Sequence, residues 1–138
     1  MPDKAHPTFH WPVRVYYEDT DSAGVVYYAN YLRYFERART EWLRALGFEQ
    51  PEIAAQHGVG FVVRSIAVEY LQPARFNEAL GVSVELLLVG ASQIKLKQVV
   101  TRADTLLCEA AVRLACVHTV LMKPARIPNS ILESIKPA

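Results

Sequence analysis

The sequence predicts an α+β fold in which a curved antiparallel sheet wraps around one long helix, and three observations carry that prediction. The first is a helical stripe. From Tyr28 the apolar positions Tyr28, Tyr31, Leu32, Phe35, Ala38, Trp42, Ala45 and Leu46 follow the i, i+3, i+4 spacing of a helix with one buried face. The second is a set of strand patterns, one before this helix and four after it, rich in β-branched and aromatic residues and punctuated by Gly, Pro and Asn. The third is that no further long helix interrupts the later strands. The order is therefore strand, long helix, strand, then consecutive antiparallel strands.

Taken in order, residues 1–8 are expected to form a loose N-terminal arm ahead of a single domain that spans 1–138. Val13 to Glu18 alternates Val13, Val15 and Tyr17 with Arg14, Tyr16 and Glu18, a strand signature. An acidic loop then leads into the long helix. Off its apolar stripe lie Arg33, Glu36, Arg37, Arg39, Glu41 and Arg44. The pairs Arg37/Glu41 and Glu36/Arg39 are expected to add about 0.2–0.5 kcal/mol each. Gly47 stops the helix. Pro51 to Gln56 makes a short second helix with Pro in its first turn, ended by Gly58 and Gly60.

Phe61 to Leu71 reads as a strand that closes at Gln72-Pro73. In Gly81 to Gly90, Val82, Val84, Leu86 and Leu88 share a face. In Gln93 to Arg102, Ile94, Leu96, Gln98 and Val100 do so, with Lys95 and Lys97 opposite. In Thr105 to Thr119 one face carries Leu106, Cys108, Ala110, Val112, Leu114 and Cys116. The other carries Leu107, Glu109, Ala111, Arg113, Ala115 and Val117. Both faces are largely apolar or small, so this strand is expected to be central or covered by a partner subunit. Pro124 and Pro128 break the tail, and Asn129 to Lys136 is expected to form a closing helical turn.

Composition narrows the function. A hydrophobic content of 51% with 21% charged residues is that of an ordinary globular chain. The net charge of +1 and the lack of a basic stripe argue against nucleic acid as a partner. No apolar run approaches the length of a membrane span and the N-terminus lacks a signal pattern, so a cytoplasmic protein without an integral membrane segment is expected. Cys108 and Cys116 lie eight residues apart in one strand. That separation, roughly 26 Å, is beyond disulfide reach, so both are expected to be buried free thiols. No Cys/His spacing of a metal site is present.

The junction YYEDTDSAGVVYYANYLRYFERAR carries the most specific signal. Tyr17, Asp19, Asp21, Gly24, Val25, Tyr28, Asn30, Tyr31, Phe35, Glu36 and Arg39, with FVVRSIAVEYLQPARFNEAL at 61–80 and MKPARIP at 122–128, carry a family resemblance. The chain resembles the hot-dog fold of the 4-hydroxybenzoyl-CoA thioesterase family, and within it the Tol-Pal-associated acyl-CoA thioesterase branch of YbgC type. The likeness extends over about residues 11–135.

Thioester hydrolysis needs a base or nucleophile near the carbonyl carbon and a donor for the oxygen that becomes negative. Asp21 precedes the helix, whose first amides, around Val26 to Tyr28, are unpaired and sit at the positive end of the helix dipole. The resemblance implies that Asp21 is the catalytic carboxylate, as nucleophile or as general base, and that the Tyr28 backbone N–H polarises the thioester carbonyl. Asp19 has the same chemistry and reads as a structural loop carboxylate. Tyr28 stands where many members of this branch carry His. A tyrosine is no ready base at neutral pH, which weakens an imidazole mechanism but leaves the amide its role.

The resemblance also implies a substrate-binding set of Tyr17, Gly24, Val25, Asn30, Glu36, Val63 and Arg64. Tyr17 would orient Asp21 or touch the acyl group, and Glu36 reads first as a salt-bridging residue at a subunit contact. Arg64, Arg75, Lys95, Lys97 and Arg102 are candidates for the phosphates of coenzyme A, or plain solvated strand residues. Coenzyme A belongs to the acyl-CoA substrate, so no metal or separate cofactor is implied. A homodimer joined edge to edge, or a homotetramer, is implied, with sites at the subunit boundary, and acyl carrier protein is a further candidate partner. The rival reading is an acyl-CoA or acyl-carrier-protein binding module with little turnover. A dehydratase is disfavoured, because His6, His10, His57 and His118 form no dyad with Asp21 in the local sequence.

Overall fold

The computed structural model describes residues 8–135. The order is β1 (Phe9–Arg14), a short 3-10 turn (Tyr17–Asp19), α1 (Asn30–Ala45), α2 (Gln50–His57), β2 (Val59–Tyr70), β3 (Ala79–Val89), β4 (Gln93–Arg102), β5 (Thr105–His118) and α3 (Asn129–Ile135). The strands form one antiparallel sheet in the order β1-β3-β4-β5-β2. This curved sheet around α1 is the expected hot-dog architecture. The arm expected over residues 1–8 lies outside the described residues except for Thr8, and so does Lys136 at the end of the closing turn.

Helix α1 buries Tyr31, Tyr34, Phe35, Ala38, Trp42 and Leu43, which join Val82, Val84, Leu96, Val100 and Val112 in one core. The stripe is therefore rotated from the expected one. Tyr28 lies ahead of the helix and is exposed, as are Leu32 and Ala45, while Tyr34 and Leu43 turn inward. Neither expected ion pair on this helix forms. Arg44 instead holds Glu41 at 2.6 Å and Glu49 at 3.0 Å, Glu36 accepts from the Thr40 hydroxyl at 2.8 Å, and Arg39 turns into the core.

The helix ends as Gly47 requires. The Phe48 N–H donates to Leu43 O at 2.9 Å and the Gly47 N–H to Arg44 O at 3.0 Å, the paired bonds of a Schellman cap. Gly47 has a φ of +97°, and a Cβ there would meet open space, so a side chain costs backbone strain alone. Gly47→Ala is expected to cost about 1–2 kcal/mol, read as a lower thermal midpoint by circular dichroism.

Two strands depart from the alternation pattern for identifiable reasons. β1 ends at Arg14 rather than Glu18: the Asp19 carboxylate captures the Tyr16 N–H at 2.8 Å, curling the chain into the 3-10 turn. Val13 and Val15 stay buried, whereas Tyr17 is 74% exposed. In β3 a bulge between Leu86 and Leu88 shifts the pleat, so Val82, Val84 and Leu86 are buried and Leu88 faces out. β4 begins and ends where the alternation places it, with Ile94, Leu96, Gln98 and Val100 buried.

Cys108 and Cys116 are buried and free. Burial, with the Glu109 charge adding to it, pushes the Cys108 thiol up to about 12, and burial also raises Cys116. The thiolate is the reactive form, so a disulfide reagent near pH 8 is expected to label neither thiol in the native protein and both after denaturation. The raised values stabilise the neutral folded thiols. That contribution is present below the unfolded thiol pKa and fades as the pH rises through the folded values.

Candidate active site

The loop from β1 to α1 is built by Asp19. Its buried carboxylate takes the Tyr16 N–H at 2.8 Å through one oxygen and the Asn30 side-chain amide at 2.8 Å through the other. One residue thereby ties the beginning of the loop to the first turn of α1, as a structural carboxylate does. The Tyr34 hydroxyl lies buried without a hydrogen-bond partner among the described residues. Burial and then the neighbouring Asp19 carboxylate raise its pKa, so it stays protonated.

Between these anchors the chain folds back on itself. Thr20 bridges Val26, and the Tyr27 N–H donates to Asp19 O at 2.9 Å. At the tip the Asp21 N–H donates to Val25 O at 2.9 Å and the Gly24 N–H to Asp21 O at 3.0 Å. Asp21 Oδ1 accepts from the Ala23 N–H at 2.8 Å, an Asx turn that leaves Oδ2 without a protein donor among the described residues. Gly24 supplies the φ of +81° that closes the turn. Val25 and Val26 pair with Arg75 and Ala74, which fastens the loop to the segment after β2. Asp21 is presented at an exposed, well-braced tip.

A cavity of about 240 Å³ opens beside the start of α1, walled by Val26, Tyr28, Tyr31, Tyr70, Leu71 and Pro73. The Tyr70 hydroxyl donates to Tyr28 O at 3.0 Å, and the two rings meet edge to face at 6.1 Å. The Tyr31 hydroxyl accepts the Ala74 N–H at 3.2 Å. No described residue accepts from the Tyr28 N–H, which therefore remains a free donor just ahead of the helix. An aromatic-walled slot beside a free amide suits an apolar acyl group with a carbonyl oxygen to be polarised.

The remaining candidates fall in different places. Tyr17 is exposed and stacks on Phe76 with centroids 3.7 Å apart, away from any strand. Asn30 is buried, its amide on Asp19 and its oxygen 3.4 Å from Arg33 Nη1. Asp21 does not line the aromatic slot. Glu36 and Val63 border a second cavity of about 150 Å³, together with Arg39, Phe61 and Leu114. Arg64 is exposed at the bulge between Val63 and Ser65 in β2. Within the chain, then, Tyr17, Asp21, Gly24, Val25, Tyr28 and Asn30 cluster around the loop, while Glu36, Val63 and Arg64 lie toward β2. Tyr70 joins the site although sequence analysis placed it only in a strand, since its partner Tyr28 lies 42 positions away.

Among the described residues no helix is long and apolar enough to cross a membrane.

Residues 15–135 match the model of the thioesterase-like superfamily. The chain is 46% identical over 129 residues to the acyl-CoA thioester hydrolase YbgC of Escherichia coli O6:H1, covering 93% of this chain and 96% of that protein. It is 43% identical over 123 residues to the acyl-CoA thioesterase YbgC of Haemophilus influenzae, covering 89% and 90%. Among solved structures it resembles a Bartonella henselae protein described as a probable thioesterase, with a TM-score of 0.85 and 31% identity over 88% of this chain and all of the other.

Proposed function

The chain belongs to the thioesterase-like superfamily, and on that premise we propose that it hydrolyses acyl-CoA thioesters with Asp21 as the catalytic carboxylate and the Tyr28 N–H as the oxyanion donor. The observation that supports this reading is the free Tyr28 amide beside an aromatic slot, at the end of the same loop whose exposed tip presents Asp21. As general base, Asp21 takes a proton from water while the oxygen adds to the carbonyl carbon. The tetrahedral oxyanion is held by the amide, and its collapse breaks the C–S bond. The proton returns to the CoA thiolate, giving free acid and CoA. As nucleophile, an Asp21 carboxylate oxygen adds to the carbonyl carbon, the C–S bond breaks as CoA thiolate leaves, and water opens the resulting mixed anhydride to free acid and the Asp21 carboxylate, its proton passing to the thiolate. Both routes use the same two groups.

The substrate-binding set is Tyr17, Gly24, Val25, Asn30, Glu36, Val63 and Arg64. Its division between the loop and the β2 side supports a site completed across a subunit boundary. β2 is a 12-residue edge strand whose outer edge pairs with nothing described, and Val62, Val63 and Tyr70 are exposed on it. An apolar edge of this length is the surface that strand-to-strand dimerisation covers. The protein is a cytoplasmic homodimer or homotetramer that uses no cofactor beyond the coenzyme A of its substrate, with acyl carrier protein as a further partner.

Free-thiol release from a panel of acyl-CoAs of graded length and branching tests the reading. Steady turnover with at least one substrate is the expected result. Binding of acyl-CoA without thiol release across the panel would favour an acyl-binding module instead.

A further inference from the structure

Strand β5 runs on past β4. Its last pairing with that strand is Ala115 with Gln93, and it continues three residues further, to His118, before the chain turns back. The turn is tightly closed. The Met122 N–H donates to His118 O at 2.8 Å, and the His118 N–H donates to Lys123 O at 2.8 Å. The Thr119 N–H donates to Gly58 O at 3.0 Å, which pins the turn to the residue that caps α2, and the Val117–Pro124 bridge pins its base. Within this frame Val120, Leu121 and Met122 are 88%, 66% and 60% exposed. Met122 holds a φ of 56°, in the left-handed region that favours glycine over any residue with a side chain. Three consecutive large apolar side chains are thus held outward on a braced turn, one of them at a strained backbone position.

The surroundings of the turn are cationic. No Asp or Glu occurs between Glu109 and Glu133. The Ile127 N–H donates to Ala91 O at 2.8 Å, which fastens this stretch to the β3–β4 hairpin, and no acid occurs there between Glu85 and Asp104. Lys123 directly follows the apolar triplet and Arg126 lies three residues on. Both are exposed, and among the described residues neither pairs with a carboxylate. Shape and charge together select the occupant. A convex turn over residues 119–122 is far smaller than the roughly 800 Å² per partner of a stable protein contact. An anionic bilayer asks for neither a large area nor a matching surface. Apolar side chains enter the headgroup–acyl boundary, and cations at their base meet the anionic headgroups.

We propose that this turn inserts Val120, Leu121 and Met122 into the surface of an anionic lipid bilayer, with Lys123 and Arg126 on the headgroups. The attachment is peripheral and reversible, because three side chains make an interfacial anchor and not a span. It uses no residue of the candidate active site, so vesicle binding and acyl-CoA hydrolysis can fail independently of each other.

The test is co-sedimentation of the whole chain, without substrate, with vesicles of phosphatidylglycerol and phosphatidylcholine and with vesicles of phosphatidylcholine alone. The parent is expected to sediment with the anionic vesicles and to bind the neutral ones at least about tenfold more weakly. Val120→Ser/Leu121→Ser/Met122→Ser is expected to lower binding to the anionic vesicles at least about tenfold, since removing even one such side chain from water is worth that factor. Lys123→Glu/Arg126→Glu is expected to abolish the preference for anionic lipid. Leu121→Trp keeps the tip apolar and reports insertion directly. Its emission, measured against the parent with Trp11 and Trp42, is expected to shift to the blue when anionic vesicles are added. The proposal is overturned if the parent stays in the supernatant, if the serine variant binds as the parent does, if charge reversal leaves the lipid preference intact, or if the Leu121→Trp emission does not move. A lower solution mass of the serine variant by light scattering would also overturn it, assigning the turn to a contact between copies.

Discussion

Asp21→Asn is expected to lower kcat for acyl-CoA hydrolysis by about 10²–10⁴-fold, the range typical of a lost general base. A larger loss would accompany loss of a nucleophile. The substitution isolates the chemistry because the local structure survives it. Asp21 is exposed, and Oδ1 holds the Asx turn by accepting the Ala23 N–H at 2.8 Å, an oxygen that asparagine retains. The thermal midpoint and KM are therefore expected to stay close to the parent values while turnover falls, the pattern of an interaction made in the transition state. Thiol release with the acyl-CoA that the parent turns over fastest is the measurement. Turnover that survived the substitution would move the carboxylate role to Glu36, which is exposed on α1 and, among the described residues, engaged only by the Thr40 hydroxyl at 2.8 Å.

The largest expected loss of stability comes from the middle of the sheet. Gln98 is fully buried in β4, where its Oε1 accepts from Arg39 Nη1 at 2.9 Å and its Nε2 donates to Phe35 O at 3.1 Å and to Ser83 O at 3.2 Å. One amide side chain thus joins α1 to two neighbouring strands. It also gives the buried guanidinium an acceptor where no carboxylate among the described residues pairs with it. Burial lowers the pKa of Arg39, with the Glu36 charge opposing that shift. Gln98→Ala removes these bonds together and leaves a cavity beside a buried charge, so the expected cost is about 3–5 kcal/mol. For a chain of this size that is a fall of about 10–15 °C in the thermal midpoint. Replacing both partners, Arg39→Met with Gln98→Leu, is expected to recover most of the loss, since an apolar pair of similar volume leaves little unpaired. Urea denaturation of Arg39→Met, of Gln98→Leu and of the double variant gives the coupling directly. A Gln98→Ala loss below about 1 kcal/mol would mean that this network adds little to stability.

The placement of Gln98 shows where sequence reading worked and where it stopped. Alternation along β4 put Gln98 on the core face with Ile94, Leu96 and Val100, and the structure keeps it there. Its partner Arg39 was expected at the surface, in a salt bridge with Glu36. A helical period gives the angular position of a residue, but not which polar side chain at the margin of the stripe turns inward. The strand facing it decides that, here through a buried amide 59 positions away. The same division holds at the active site. The acidic loop, the helix after it and the family resemblance were legible in one continuous stretch, because loop chemistry and helix amphipathicity are local properties of the backbone.

The amino-acid sequence by itself determined the α+β class, the antiparallel strand series, the extent of β4, the glycine stop of α1 and the loop position of Asp21. Each of these follows from the period of the backbone or the conformational preference of single residues. Only the tertiary structure decided that Asp19 ties Tyr16 to Asn30, that a bulge turns Leu88 outward, and that Tyr70 closes the slot beside Tyr28. Those outcomes depend on strand register and on packing between distant segments, and a side chain's own neighbours in sequence exert no force that selects among them.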